Sequence, residues 1–252
     1  MKDPARRPAL PNVTLVAVTS VAVTATVRAL KASMGQADFG EVLLLSDQAP
    51  PAEADRRITW RAIDRLGSRA DYSRFMLHEL ANHISTTHAL CVQWDGFVLR
   101  GHAWNPSFLE YDYIGAVWPH FADAHNVGNG GFSLRSRRLL EACRELPFDE
   151  PQMEDVVIGR LCRGRLEGKG IRFAPEALAR SFSYERTLPT GREFGFHGAF
   201  NLVHVVPARA SLELFRTLEP GMLARSERRE IFRWALVHGR PRLAYEMLSR
   251  LV

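Results

Sequence analysis

Cysteine is scarce in this chain: Cys91, Cys143 and Cys162 are the only three in 252 residues, and no two form a C-x-x-C pair. That spacing excludes a disulfide framework and the usual structural zinc sites. All three sit in apolar or helical contexts and read as reduced core thiols of a cytosolic protein. The net charge of +5 comes without an RGG-type tract, a Cys/His finger or any other nucleic-acid motif, so nucleic acid is not an expected partner. Long unbroken apolar runs are missing as well. Residues 13–27 follow Lys2, Arg6 and Arg7 in the manner of a signal peptide. Thr14, Thr19, Ser20, Thr24 and Thr26 interrupt that run, and it is short for a membrane span. A strand–turn–helix start is expected, with no cleaved signal and no transmembrane helix. Internal repeats, low-complexity tracts and a Walker A loop are also absent.

What is present is an ordinary globular composition, 46 % apolar and 24 % charged, with length enough for one large domain and a helical annex. Residues 12–18 read as a buried β-branched strand, 21–34 as a helix stopped by Gly35, and 41–45 as a second apolar strand. Together they make a βαβ unit with a parallel pair and a right-handed crossover. Residues 58–60 suggest a third strand. Residues 71–84 suggest an amphipathic helix capped by Asp71 or Ser73. Further strands are expected at 89–95, 113–118 and 171–173, and helices at 136–145 and from Glu154. From Ser211 the pattern is helical, broken at Glu219-Pro220-Gly221 and Gly239-Arg240-Pro241. The expectation is an α/β chain: a Rossmann-like, mostly parallel sheet flanked by helices over residues 1–207, then a helical C-terminal extension over 208–252. That extension carries nine Arg against five Glu. Its apolar stripes (Leu212, Phe215 and Leu218; Ile231, Trp234, Leu243 and Leu248) must bury against the sheet domain, a second copy, a partner domain or an anionic membrane surface.

Four polar signals stand out on this pattern. The apolar run 89–92 ends in Gln93-Trp94-Asp95-Gly96-Phe97, and a carboxylate at the carboxyl end of a sheet strand faces the ligand crevice of an open α/β fold. Thr19 and Ser20 close the first strand at the same edge. Asn126-Val127-Gly128-Asn129-Gly130-Gly131-Phe132-Ser133 allows positive φ and close backbone approach. Glu154-Asp155 opens a helix, where acidic residues also complement the helix dipole. Phe196-His197-Gly198 supplies an imidazole between glycines.

Residues 13–19, the helix start Asp71-Tyr72-Ser73-Arg74-Phe75, the Gln93–Phe97 motif and Gly128-Asn129-Gly130-Gly131-Phe132-Ser133-Leu134 resemble GT-A-fold glycosyltransferases. The nearest match is a bacterial and fungal glycosyltransferase-like family with Gln-x-Asp-Gly in place of Asp-x-Asp. The resemblance runs from about residue 13 to 205. It implies a sugar moved from a nucleoside-diphosphate donor, UDP-linked by preference, to the hydroxyl of a glycan or lipid-linked glycan, with inversion, in bacterial surface-polysaccharide or glycoconjugate assembly at the cytoplasmic side. By this resemblance Asp95 and His197 hold Mn²⁺ or Mg²⁺, Asp155 is the general base and Glu154 supports it. Thr19, Ser20, Arg74, Gln93, Trp94, Asn129, Gly130 and Gly131 contact the donor, the glycine segment lying beneath its sugar. Gln93 stands where many such enzymes carry an aspartate. Two alternatives remain: a noncatalytic module of the same fold that binds a glycan or partner, and a sugar-phosphate nucleotidyltransferase. The latter needs a glycine-rich first βα loop, which Val18-Thr19-Ser20-Val21-Ala22 is not.

Overall fold

The computed structural model describes residues 7–219 and 221–250; Lys2, Arg6 and the break at Pro220 lie outside them. Contacts divide the chain between residues 197 and 198, ahead of the boundary at 207 drawn from sequence.

The first unit is an α/β sheet structure. Strand β1 (Ala9–Val18), helix α1 (Val23–Met34) and strand β2 (Asp38–Ser46) form the expected βαβ start, β1 and β2 running parallel. Strand β3 (Thr59–Ala62) extends the sheet beyond β2, and β4 (His88–Val92) pairs parallel with β1 on its other side. Two later strands, β5 (Tyr113–Ile114) and β8 (Phe132–Ser136), complete the order β3-β2-β1-β4-β8-β5, with β8 antiparallel to both neighbours. The sheet is therefore mostly parallel with one reversed strand.

Side chains alternate across it, as a two-residue period demands. Val13, Leu15, Ala17, Leu44, Leu90 and Leu134 pack with α1 on one face. Val16, Val18, Leu43, Leu45, Ala89 and Cys91 pack against Met76 and Leu80 on the other. Burial on both faces explains why β1, β2 and β4 read as continuous apolar runs.

Several local expectations are corrected. Helix α2 spans Arg69–His78 and is capped by Ser68, whose hydroxyl accepts from the Asp71 N–H; a 3₁₀ turn, Leu80–His83, follows. Ser73 instead faces inward and accepts the Glu154 N–H at 3.3 Å. The strand expected over 113–118 breaks at Gly115, where a Cβ would fall 1.8 Å from the Gly128 carbonyl oxygen. Its second half, β6 (Ala116–Val117), pairs antiparallel with β7 (Val127–Gly128) outside the main sheet. Helix α3 (Arg137–Cys143) is capped by Ser136. The helix from Glu154 is only α4 (Glu154–Val156), passing into a π-turn (Val157–Leu161) before α5 (Arg163–Gly168). Residues 171–173 make a single bridge, Tyr113 to Phe173, rather than a strand. After α6 (Glu176–Phe182), β9 (Ser183–Tyr184) and β10 (Gly195–Phe196) pair in parallel.

The second unit contains α7 (Ala199–Val205), α8 (Ala208–Thr217), α9 (Arg225–Val237) and α10 (Pro241–Ser249). Ile231, Ala235, Leu243, Ala244 and Met247 are buried within it. Among the described residues no helix is long and apolar enough to cross a membrane.

Candidate functional site

Pairing of Val92 with Phe132 brings the carboxyl end of β4 beside the amino end of β8. The chain leaves β4 in a tight reversal, with Gln93 and Gly96 exchanging both backbone hydrogen bonds at 3.1 and 3.0 Å. Trp94 and Asp95 occupy the bend. The strand expected to reach Asp95 thus ends at Val92, and the carboxylate sits on a turn. On the neighbouring side, Asn129 adopts a left-handed conformation (φ 79°), which asparagine tolerates better than most residues. Its carbonyl oxygen accepts from the Tyr113 hydroxyl at 3.2 Å, and its Oδ1 accepts from the N–H groups of Gly131 and Phe132 at 2.9 and 3.1 Å. The side chain therefore closes the glycine segment as a local turn.

His197 enters from the β9/β10 ribbon, where its N–H bonds the Tyr184 carbonyl. That pairing sets Glu185 beside it. Nδ1 lies 3.2 Å from Glu185 Oε1; Nε2 lies 3.2 Å from Gln93 Oε1 and 3.5 Å from Asp95 Oδ1. The Gln93 amide nitrogen donates onward to the Tyr72 hydroxyl at 2.9 Å. Two glycines make room for the ring. A Cβ on Gly131 would lie 2.0 Å from Nε2, and one on Gly96 would lie 2.9 Å from Cδ2. Burial alone would depress the imidazole pKa, but the charges and hydrogen bonds of Asp95 and Glu185 outweigh it and hold it well above the ordinary histidine value. Burial likewise pushes the Glu185 carboxyl up, and its hydrogen bond to His197 leads the interactions that bring it below its usual value.

Asp95 is buried, and among the described residues its Oδ1 accepts no hydrogen bond, its nearest cationic group being His197 Nε2 at 3.5 Å. A buried carboxylate oxygen without a donor is costly unless something positive approaches it. With Glu185 at Nδ1, Nε2 is the nitrogen turned toward Asp95 and the Gln93 Oε1 acceptor, and it must give up its own proton to ligate a cation. An imidazole nitrogen and a carboxylate oxygen 3.5 Å apart are donors that Mn²⁺ accepts. Among the described residues no three His, Cys, Asp or Glu side chains gather as a metal cage. A cation there would draw its remaining ligands from phosphates and water, which suits Mg²⁺ and its relatives. The pair fits.

Below this pair lies a second polar cluster. The Gly130 N–H donates to Asp155 Oδ2 at 3.0 Å and the Val156 N–H to Oδ1 at 2.8 Å. Burial, followed by the neighbouring Glu154 charge, pushes Asp155 up to about 6. Glu154 itself is buried against Arg135, whose side chain is 0 % exposed; Nη2 reaches Glu154 Oε1 at 3.1 Å and the Gly130 carbonyl at 3.4 Å. Arg135 Nε donates to Ser133 Oγ at 3.0 Å, and among the described residues Nη1 has no hydrogen-bond partner. The glycine segment is thus held from both sides, by Asn129 above and by Asp155 and Arg135 below.

Of the residues singled out from sequence, Asp95, His197, Gln93, Asn129, Gly130, Gly131, Glu154 and Asp155 form this connected set. Gly130 and Gly131 give their missing side-chain volume to protein groups: a Cβ on Gly130 would lie 1.9 Å from Glu154 Oε1, as that on Gly131 would meet His197. Thr19 and Ser20 are buried at the end of β1 with their hydroxyls engaged. Thr19 Oγ1 bonds the Val21 backbone, and Ser20 Oγ accepts the Leu66 N–H at 2.8 Å. Arg74 is tied to Asp71 and Glu150 at 3.0 and 2.8 Å, over the Phe148 ring. Trp94 is half-buried. Sequence reading missed Tyr72, Arg135 and Glu185. Tyr72 sits on α2 within the Asp71–Phe75 segment, while Arg135 and Glu185 lie in no polar motif and are brought in by the strand pairings.

An α/β protein with a polar site at the carboxyl edge of its parallel strands is the class so defined. The segment 57–197, more than half of the chain, matches a family described as proteins of unknown function (DUF5672), and the chain belongs to that family. No curated protein matches it. Among solved structures, an active-site mutant of LgtC is similar at 12 % identity with a TM-score of 0.49, over 86 % of this chain and 99 % of that one.

Proposed function

We propose that this protein is a metal-assisted glycosyltransferase. It would move a sugar from a nucleoside-diphosphate donor, UDP-linked by preference, to an acceptor hydroxyl with inversion. The observation that carries this reading is the buried Asp95 Oδ1, which has no hydrogen-bond donor among the described residues and faces His197 Nε2 at 3.5 Å; the motif resemblance adds to it. Asp95 and His197 would hold Mn²⁺ or Mg²⁺, which when bound neutralises charge growing on the departing diphosphate.

The chain's own residues do the rest. The Gly130 and Val156 N–H groups fix the Asp155 carboxylate. Raised to about 6, Asp155 is both ionised near neutrality and basic enough to take a proton. It accepts the acceptor's O–H proton as that oxygen bonds the anomeric carbon and the bond to the diphosphate breaks, releasing the nucleoside diphosphate. Beneath, Arg135 pairs with Glu154 and reaches the carbonyl of the same Gly130 whose N–H bonds Asp155. The acceptor is a glycan or lipid-linked glycan of bacterial surface-polysaccharide or glycoconjugate assembly, reached from the cytoplasm.

Release of UDP from UDP-sugars in the presence of Mn²⁺, in the protein and in Asp95→Ala, tests the reading. Metal-dependent release that Asp95→Ala abolishes supports it; an equal signal in both overturns it. One observation favours a second reading, a noncatalytic glycan- or partner-binding module. Gln93, Thr19, Ser20 and Arg74 all have their polar groups engaged within the protein. Under that reading a glycan binds without any donor turnover.

A further inference from the structure

The turn between α9 and α10 departs from the rest of the second unit in its surface chemistry. Between Glu230 and Glu246 the sequence has no acidic residue, while Arg233, His238, Arg240 and Arg242 fall in that interval. Every residue from Leu236 to Arg242 is exposed. Among them Leu236 is 58 % exposed and Val237 82 %, and Tyr245, one turn into α10, is 71 % exposed. Helical spacing puts Arg233, Leu236 and Val237 on one face of α9, and Arg242 and Tyr245 on one face of α10. The guanidinium groups of Arg233, Arg240 and Arg242 make no ion pair or hydrogen bond among the described residues. The carboxylates that flank this stretch are engaged elsewhere: Glu246 holds Arg216 and Arg250, Glu227 accepts the Ala224 N–H at the far end of α9, and Glu230, one turn before Arg233, lies within electrostatic reach of His204.

Single exposed apolar residues are normal on a protein surface. Three large ones in and beside one interhelical turn, in a stretch that holds three arginines and no carboxylate, are a different object. Arginine alone would suit any polyanion, but the aliphatic pair gains nothing from a phosphate backbone in water. Both gain at once at a bilayer surface: the apolar side chains enter the headgroup–acyl boundary and the guanidinium forks bind lipid phosphates. We propose that the α9–α10 tip, residues 233–245, docks this protein on a membrane surface bearing anionic phospholipid headgroups. The inference is independent of the glycosyltransferase reading, since it uses no residue of that site.

Flotation of the full chain with phosphatidylcholine vesicles, with and without phosphatidylglycerol, tests it. The expected result is retention on the mixed vesicles alone, weakened by salt. A basic residue near such a surface contributes about fivefold in affinity, so Arg233→Gln, Arg240→Gln and Arg242→Gln together should lower binding about 100-fold. Leu236→Ser with Val237→Ser should lower it too, leaving the salt dependence unchanged. All five positions are solvent-facing, and thermal melting checks that each variant folds. No retention at low salt, equal retention on both vesicles, or indifference to the arginine changes overturns the proposal. A dimer in sedimentation equilibrium, lost in Leu236→Ser with Val237→Ser and unaccompanied by vesicle binding, would assign the tip to a second copy and overturn it as well.

Discussion

Gly131 and His197 are in contact: the imidazole Nε2 fills the space where a side chain on residue 131 would begin, 2.0 Å from its Cβ position. The glycine segment is thereby a seat for the histidine. Gly131→Ala should push the ring off Asp95 and abolish Mn²⁺-dependent stabilisation by UDP. Gly168→Ala, with nothing within 4 Å of its Cβ, should leave that stabilisation intact. Thermal shift with and without Mn²⁺ plus UDP compares the two.

Glu185 fixes which imidazole nitrogen faces Asp95. Carboxylates that orient a metal-binding histidine are typically worth about 10–100-fold in metal affinity, and Glu185→Gln should lower Mn²⁺ affinity by that order. Calorimetric titration of Mn²⁺ in the presence of UDP reads it directly. If the unaltered protein binds no Mn²⁺, the metal site itself is refuted; if Glu185→Gln binds as tightly, only the orienting role is.

The raised carboxyl of Asp155 gives two pH signatures. Activity should rise with pH through about 6 as the base ionises, and Asp155→Asn should remove at least about 100-fold of the rate. Stability should move the other way. The folded state holds this proton more tightly than the unfolded chain, so the contribution of Asp155 is fully favourable below about 4. It is lost as pH rises through about 6. Denaturant melts across that window should show a falling slope that Asp155→Asn flattens.

Breaking the Arg135–Glu154 pair should be severe. Both side chains are buried, and removing one partner strands the other's charge at a cost of about 3–5 kcal/mol. Arg135→Met and Glu154→Leu should each lower the urea midpoint sharply, and the double variant should be more stable than either single one. A double variant as unstable as the sum of the two would disprove the coupling.

Much of the sheet could be read directly from the sequence, because β1, β2 and β4 are buried on both faces and announce themselves as apolar runs. The βαβ start and the two helix breaks around Gly221 and Gly239 follow from equally local signals. Asp95, the glycine segment and His197 were visible as polar or glycine interruptions of that pattern. Arg135 was not: it lies within Phe132–Ser136, where nothing marks one polar strand residue as a buried ion-pair member. Glu185 owes its role to the register of a two-residue ribbon, and no local periodicity encodes that. The break at Gly115 escaped for a similar reason, since it is imposed by the Gly128 carbonyl approaching from another segment.

The ribbon that aligns Glu185 with His197 joins Ser183 to Gly195 and Tyr184 to Phe196. The exposed tip of the excursion between its two strands lies around Leu188, at 92 % exposure, clear of Glu185 at one end and of the buried Glu193 and Phe194 at the other. It can therefore lengthen, shorten or change composition without disturbing either side chain, whereas a slip of a single residue in the ribbon would exchange them for their neighbours. Divergence among relatives should collect in that excursion while the ribbon's register stays frozen.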